Sequence, residues 1–101
     1  MPSTGYRFGP FEVDLRTREL RKHGLRIRLR VKSFQILVCL LEHPNEVVTR
    51  EQLRHLLWPE GVFVGFDDSL NTAVYRLRQA LGDGSHTRYV ETLPGHGYRF
   101  L

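Results

Sequence analysis

Ser69-Leu70-Asn71-Thr72-Ala73-Val74-Tyr75-Arg76-Leu77-Arg78-Gln79-Ala80-Leu81, followed by Gly82, is the stretch on which the fold turns. Leu70, Val74, Leu77 and Leu81 recur at helical spacing, and at 100° per residue they fall within roughly 60° of one another. The opposite flank carries Asp68, Thr72, Tyr75, Arg76 and Gln79. The spacing therefore predicts an amphipathic helix over 69–81 with one greasy side and one hydrogen-bonding side. Asp67 or Asp68 is the expected N-cap, and Gly82 the expected stop.

Working back from this helix, Glu60 to Phe66 reads as an unusually apolar loop, and Thr49 with Gln52 three residues on forms a capping box. That box opens a second helix, whose expected buried stripe is Leu53, Leu56 and Leu57. It ends at Trp58-Pro59, with Trp58 read as core between this helix and the sheet. Phe34, Leu37, Val38 and Leu41 mark a first helix that starts at Val31 and stops near His43-Pro44, and Val47-Val48 is a short bridging strand. The N-terminal third holds short strands around Phe8–Asp14 and Glu19–Lys22, with a reversal at His23-Gly24. Leu25-Arg26-Ile27-Arg28-Leu29-Arg30 alternates with period two, so the leucines and isoleucine are its expected dry side and the arginines its wet side. Beyond Gly82 the chain closes with Tyr89–Thr92, a Pro94-Gly95-His96-Gly97 tip and Tyr98–Leu101, a hairpin whose Tyr98 and Phe100 read as core.

These elements predict an α+β fold in a single domain over 1–101. An N-terminal four-stranded antiparallel sheet (about 6–30) precedes a three-helix core (31–81) and a C-terminal β-hairpin (88–101). That order is the order of a winged helix-turn-helix.

Length and composition agree: 101 residues with 41% hydrophobic suit one core, and a net charge of +4 favours polyanionic partners. Arg16 to Lys32 holds eight basic residues against one acid, Glu19. The alternation just described favours a solvated face over direct nucleic-acid contact for this stretch, and in either case its charge attracts DNA at a distance. The single Cys39 excludes a disulfide framework, reads as a buried inert thiol and suits a reducing compartment. The longest near-apolar run, Phe34 to Leu41, is far short of the 18 or so residues that span a bilayer, and Met1 to Gly9 lacks a signal-peptide core. A cytoplasmic location without membrane contact is expected for this segment.

Phe8-Gly9 with Phe11, Leu25 to Leu29, Val47-Val48-Thr49-Arg50-Glu51-Gln52-Leu53, Leu57-Trp58-Pro59, Leu70-Asn71-Thr72 with Arg76-Leu77-Arg78, and Thr92-Leu93-Pro94-Gly95 with Gly97-Tyr98-Arg99-Phe100 occur in one order. In these segments the chain resembles the winged helix-turn-helix effector domain of OmpR/PhoB-type regulators, the C-terminal domain family of transcriptional regulatory proteins. Within it, the chain is most similar to the N-terminal DNA-binding domain of ToxR/CadC-like one-component regulators. The resemblance implies sequence-specific binding of double-stranded DNA in bacterial transcription, with helix 69–81 in the major groove and the wing, 92–98, at the minor groove. Thr72 and Arg76 are the expected base contacts, with Gln79 on the same flank, and Ser69, Tyr75 and Arg78 the expected phosphate contacts. Thr92 is a further phosphate candidate. At the tip Pro94 stands where the family often has an arginine, so His96 is the expected substitute. Asp68 likewise departs from a basic residue common in the family.

The loop after Pro59 resembles a segment through which some members touch RNA polymerase, which singles out Glu60 and Val62. The resemblance further implies a monomer in solution that pairs on tandem repeat sites. No receiver domain precedes Tyr6, so phosphorylation within this chain is not expected. A sensor, or a tether to the inner membrane, is the expectation for a natural chain continuing after Leu101.

Catalysis is not expected: the sequence has no Gly-rich phosphate loop, no Gly-x-Ser-x-Gly and no His-Glu-x-x-His. His23, His43, His55, His86 and His96 are scattered and show no metal-ligand spacing. No cofactor or metal is needed for folding. The alternative reading of the same elements is a winged-helix protein docking or dimerisation module that binds no specific DNA. Salt separates the two, since phosphate contacts weaken steeply with ionic strength and apolar docking does not.

Overall fold

The computed structural model describes residues 4–61, 65–83 and 89–101. Four antiparallel strands, β1 (Gly5–Phe8), β2 (Phe11–Asp14), β3 (Glu19–Lys22) and β4 (Leu25–Ile27), lie side by side in chain order. Val13 pairs with Leu20 in register, and these two with Phe11 point inward because apolar and polar residues alternate along β2 and β3. On the wet face Arg21 sits between Asp14 and Glu19. Thr17 and Arg16 donate backbone N–H bonds to the Asp14 carboxylate; the Thr17 bond above all, then that of Arg16 and the nearby Arg21 guanidinium, holds it below its ordinary pKa.

β4 is shorter than its alternation predicts. It stops at Ile27, leaving Arg28–Arg30 as an extended link, and Leu25 is 74% exposed, not buried. Period two fixes which residues share a side, but Leu25 lies at the hairpin end of an edge strand where that side has no partner layer. Ile27 and Leu29 do pack on the core.

Three helices follow: α1 (Val31–Glu42), α2 (Arg50–Leu57) and α3 (Phe66–Leu81). α1 is buried through Phe34, Ile36, Leu37, Leu40 and Leu41, and its buried Ser33 hydroxyl donates to the Ala73 carbonyl of α3 at 2.8 Å. Half-buried on the same helix, the Cys39 thiol is pushed up in pKa by desolvation and further by Glu42. The capping box of α2 is formed as predicted, with Gln52 N–H on Thr49 Oγ1 at 3.0 Å and Thr49 N–H on Gln52 Oε1 at 2.7 Å. Leu53 and Leu57 are buried, but Leu56 is 42% exposed, because the buried arc of this eight-residue helix is narrower than the leucine stripe.

α3 begins three residues before the expected Ser69. Gly65, at φ +85°, turns the chain into it, and neither Asp67 nor Asp68 acts as N-cap; both occupy the first turn. The early start has a packing reason, since the Phe66 ring meets Trp58 edge-on at 5.3 Å. Trp58, half-buried and packed against the core, therefore seals the α2–α3 junction, with the Lys32 ammonium 4.9 Å from its ring centre. At the other end Gly82, at φ +73°, stops the helix as expected, its N–H on the Gln79 carbonyl.

A second sheet has the order β5 (Val47–Thr49), β7 (Gly97–Phe100), β6 (Val90–Leu93). Asp83 accepts the Val90 N–H at 3.0 Å and so fastens the start of the hairpin to the end of α3. Tyr98 and Phe100 are buried, and Phe8, Phe11, Tyr89 and Phe100 form an aromatic cluster between the two sheets. Val62 and the expected hairpin start at Arg88 lie outside the described residues.

Candidate nucleic-acid interface

The buried face of α3 consists of Leu70, Ala73, Val74, Leu77 and Leu81, which leaves its opposite flank in solvent. Thr72, Tyr75, Arg76 and Gln79 are all exposed there, Tyr75 by 63%, and Ser69 is half-buried near the start. No described acidic side chain pairs with Arg76. The structure thus brings five of the eight expected contact residues onto one side of one helix. Asp68 lies on the same side, exposed, and opposes an anion near the helix start.

Arg78 is placed differently. It is half-buried and reaches the hairpin, donating from Nε (3.3 Å) and Nη2 (3.0 Å) to the Val90 carbonyl and from Nη2 to the Thr92 hydroxyl. Thr92 is exposed, but its oxygen is already an acceptor for this guanidinium. These two expected phosphate ligands therefore join α3 to the wing. The tip, Pro94-Gly95-His96, is exposed; the His96 N–H closes the turn on the Leu93 carbonyl at 2.9 Å, with Gly95 at φ +77°. The His96 carbonyl in turn accepts the N–H of Arg50 at 3.2 Å, so the start of α2 supports the tip.

The sequence reading missed the role of Arg50. Its guanidinium donates to Asp67 and to the Tyr98 hydroxyl, both at 2.8 Å, and to Asn71 at 3.2 Å. One side chain thereby links the starts of α2 and α3 to β7. Burial pulls this guanidinium down in pKa, but Asp67 and Tyr98 more than offset it and leave it above its ordinary value. The local signal is a long cation at the first helical position, inside the capping box, which any solvated helix start also shows. Glu60 is exposed just after α2.

Among the described residues no three His, Cys, Asp or Glu side chains gather to hold a metal. Among the same residues no helix is long and apolar enough to cross a membrane.

A four-stranded sheet, three helices with the third bare on one flank, and a hairpin latched beside it define a winged helix-turn-helix domain. Residues 24–100 match the family described as "Transcriptional regulatory protein, C terminal", and the chain belongs to that family. It is 42% identical over 68 residues to the phosphate regulon transcriptional regulatory protein PhoB of Escherichia coli, an alignment covering 67% of this chain and 29% of PhoB. It is 38% identical over 76 residues to a cholera toxin homolog transcriptional activator of Vibrio parahaemolyticus, covering 74% of this chain and 26% of the activator. The chain thus spans less than a third of these curated relatives. Among solved structures, the DNA-binding domain of Klebsiella pneumoniae RstA in complex with the RstA box superposes with a TM-score of 0.82 at 27% identity, covering 95% of both chains.

Proposed function

We propose that this chain binds double-stranded DNA sequence-specifically and serves the regulation of bacterial transcription, working in the cytoplasm. The observation that carries this reading is the uncovered flank of α3, where Thr72, Tyr75, Arg76 and Gln79 stand in solvent beside a hairpin fixed to the same helix. An α-helix fits the major groove, and an unpaired arginine there can bond both acceptors of a guanine edge. Thr72, Arg76 and Gln79 are assigned to base edges, and Ser69 and Tyr75 to phosphates. Arg78 is assigned chiefly to holding the wing. Thr92 is assigned to a phosphate and His96 to the minor groove, both being exposed. The RstA complex supports the reading as a bound relative of the same fold.

Pairing of monomers on tandem sites about one helical turn apart is part of the proposal. So is a polymerase-facing role for the loop after α2, supported here by the exposure of Glu60. A longer natural chain with a sensor or a membrane tether is consistent with the small share of each relative that is matched.

Selection of binding sites from random duplexes at stated salt tests the proposal. A recovered repeat with defined spacing is the expected result. Recovery of unrelated sequences, with binding insensitive to salt, would instead establish a protein-docking module.

A further inference from the structure

The basic segment before α1 alternates like a strand face, but β4 ends at Ile27 and leaves Arg28-Leu29-Arg30 outside the sheet. Leu29 packs on the core, and the extended backbone at Arg30 (φ −69°, ψ 154°) sends Arg28 and Arg30 outward on either side of it. The three residues form one wall of a groove of about 380 Å³ whose other wall is Arg76, Gln79 and Ala80 of α3. A second groove, between the start of α1 and α3, also has Arg30 and Arg76 in its lining, so these two arginines stand where the grooves adjoin.

Charge is distributed unevenly between the two grooves. Asp68 lines the second groove and not the first, and Lys32 is occupied by the Leu57 carbonyl at 2.7 Å and by the Trp58 ring. Arg28, Arg30 and Arg76 have no carboxylate partner among the described residues. Arg76 and Arg78 project roughly 200° apart around α3, since they are two residues apart on a helix. The wing is latched along the Arg78 side, which puts the Arg28–Arg30 link along the other.

We infer that Arg28 and Arg30 are a second phosphate-binding track, gripping the sugar-phosphate wall of the major groove on the side of α3 away from the wing. This rests on the DNA-binding reading above. A helix in a major groove has one backbone strand on each side. The hairpin attends to one strand, and the unpaired guanidiniums meet the other. Phosphates carry no sequence information, so the track adds affinity and register without altering base preference.

The test is the double variant Arg28→Ala/Arg30→Ala against a charge-matched control on β1 and the β2–β3 turn, Arg7→Ala/Arg16→Ala. The probes are a duplex carrying the selected site and a mixed-sequence duplex of the same length. The first variant should lower the slope of log Kd against log salt by about 2, one unit per lost phosphate contact, and weaken both duplexes by the same factor. Ethylation interference should vanish at phosphates on the strand away from the wing. The control should keep the wild-type interference pattern and most of the slope. Wild-type slope and interference in the first variant, or an equal loss in the control, would overturn the track and leave the DNA-binding reading intact. Failure of the wild-type chain to bind either duplex would instead remove the DNA-binding reading and the track together.

Discussion

Gly97→Ala is the substitution that most directly probes how the wing is held. Gly97 is buried in β7, opposite Thr49 of β5 and Leu93 of β6. A Cβ there would stand 2.1 Å from the Val48 carbonyl oxygen, 2.8 Å from Thr49 Cα and 2.9 Å from the Val48 carbonyl carbon. All three are backbone atoms, so no side-chain rotation relieves the overlap. β5 and β7 must separate by roughly 1 Å to restore van der Waals distances, which strains the ladder between them. Overpacking of this kind costs about 1 to 3 kcal/mol, and for a domain of this size each kcal/mol lowers the melting temperature by about 4 to 8 °C. Urea unfolding followed by circular dichroism gives the number. Gly95→Ala is the comparison, because a Cβ at the tip meets nothing within 4 Å and its penalty comes only from φ +77°. Gly97→Ala should therefore be the more damaging of the two, and it should also displace the wing relative to α2. A Gly97→Ala protein within about 0.5 kcal/mol of wild type, the range of an ordinary surface change, would refute the argument that β5 and β7 pack too closely for a side chain.

Three other outcomes follow from the geometry. Arg76→Ala should leave the unfolding curve unchanged, because its side chain is exposed and unpaired, yet lose about 1 to 3 kcal/mol on the selected site and relax preference at one base; unaltered specificity would remove the major-groove assignment. Arg78→Ala should cost about 1 to 3 kcal/mol of stability in the absence of DNA, since the Val90 carbonyl loses its side-chain donor; a melting curve identical to wild type would mean that this arginine serves only phosphate. Asp14→Ala should destabilise at neutral pH, where the lowered native pKa of Asp14 favours the folded state. That contribution is present above the ordinary carboxylate pKa of about 3.9 and fades as pH falls through the lower native value, so urea midpoints of variant and wild type should converge in acid. A gap that widened toward low pH would contradict the assignment.

What the sequence made legible follows from what local rules encode. The capping box at Thr49, the stop at Gly82 and the inward residues of α3 are fixed by contacts within one or two turns, and each was readable. Leu25 and Leu56 were misread because periodicity groups residues on a face without showing whether another layer covers it. The start of α3 was misplaced because two aspartates resemble caps, whereas the turn is made by Gly65 and anchored by Phe66 against Trp58. Arg78 reads from the sequence as a phosphate contact, whereas its reach to Val90 depends on a hairpin twelve residues away. Arg28 and Arg30 look like any wet strand side until the strand is seen to end before them.

The bonds from Arg78 to β6, and from Arg50 to α3 and β7, tie α3 and the wing together like the two jaws of a caliper with a preset width. Under the proposed function, a duplex whose neighbouring grooves are spaced differently is not accommodated by splaying the jaws without breaking those bonds, so the DNA is the partner expected to deform. Under the proposed function, base steps lying between the two jaws are thus selected for their ease of bending even where no side chain touches them.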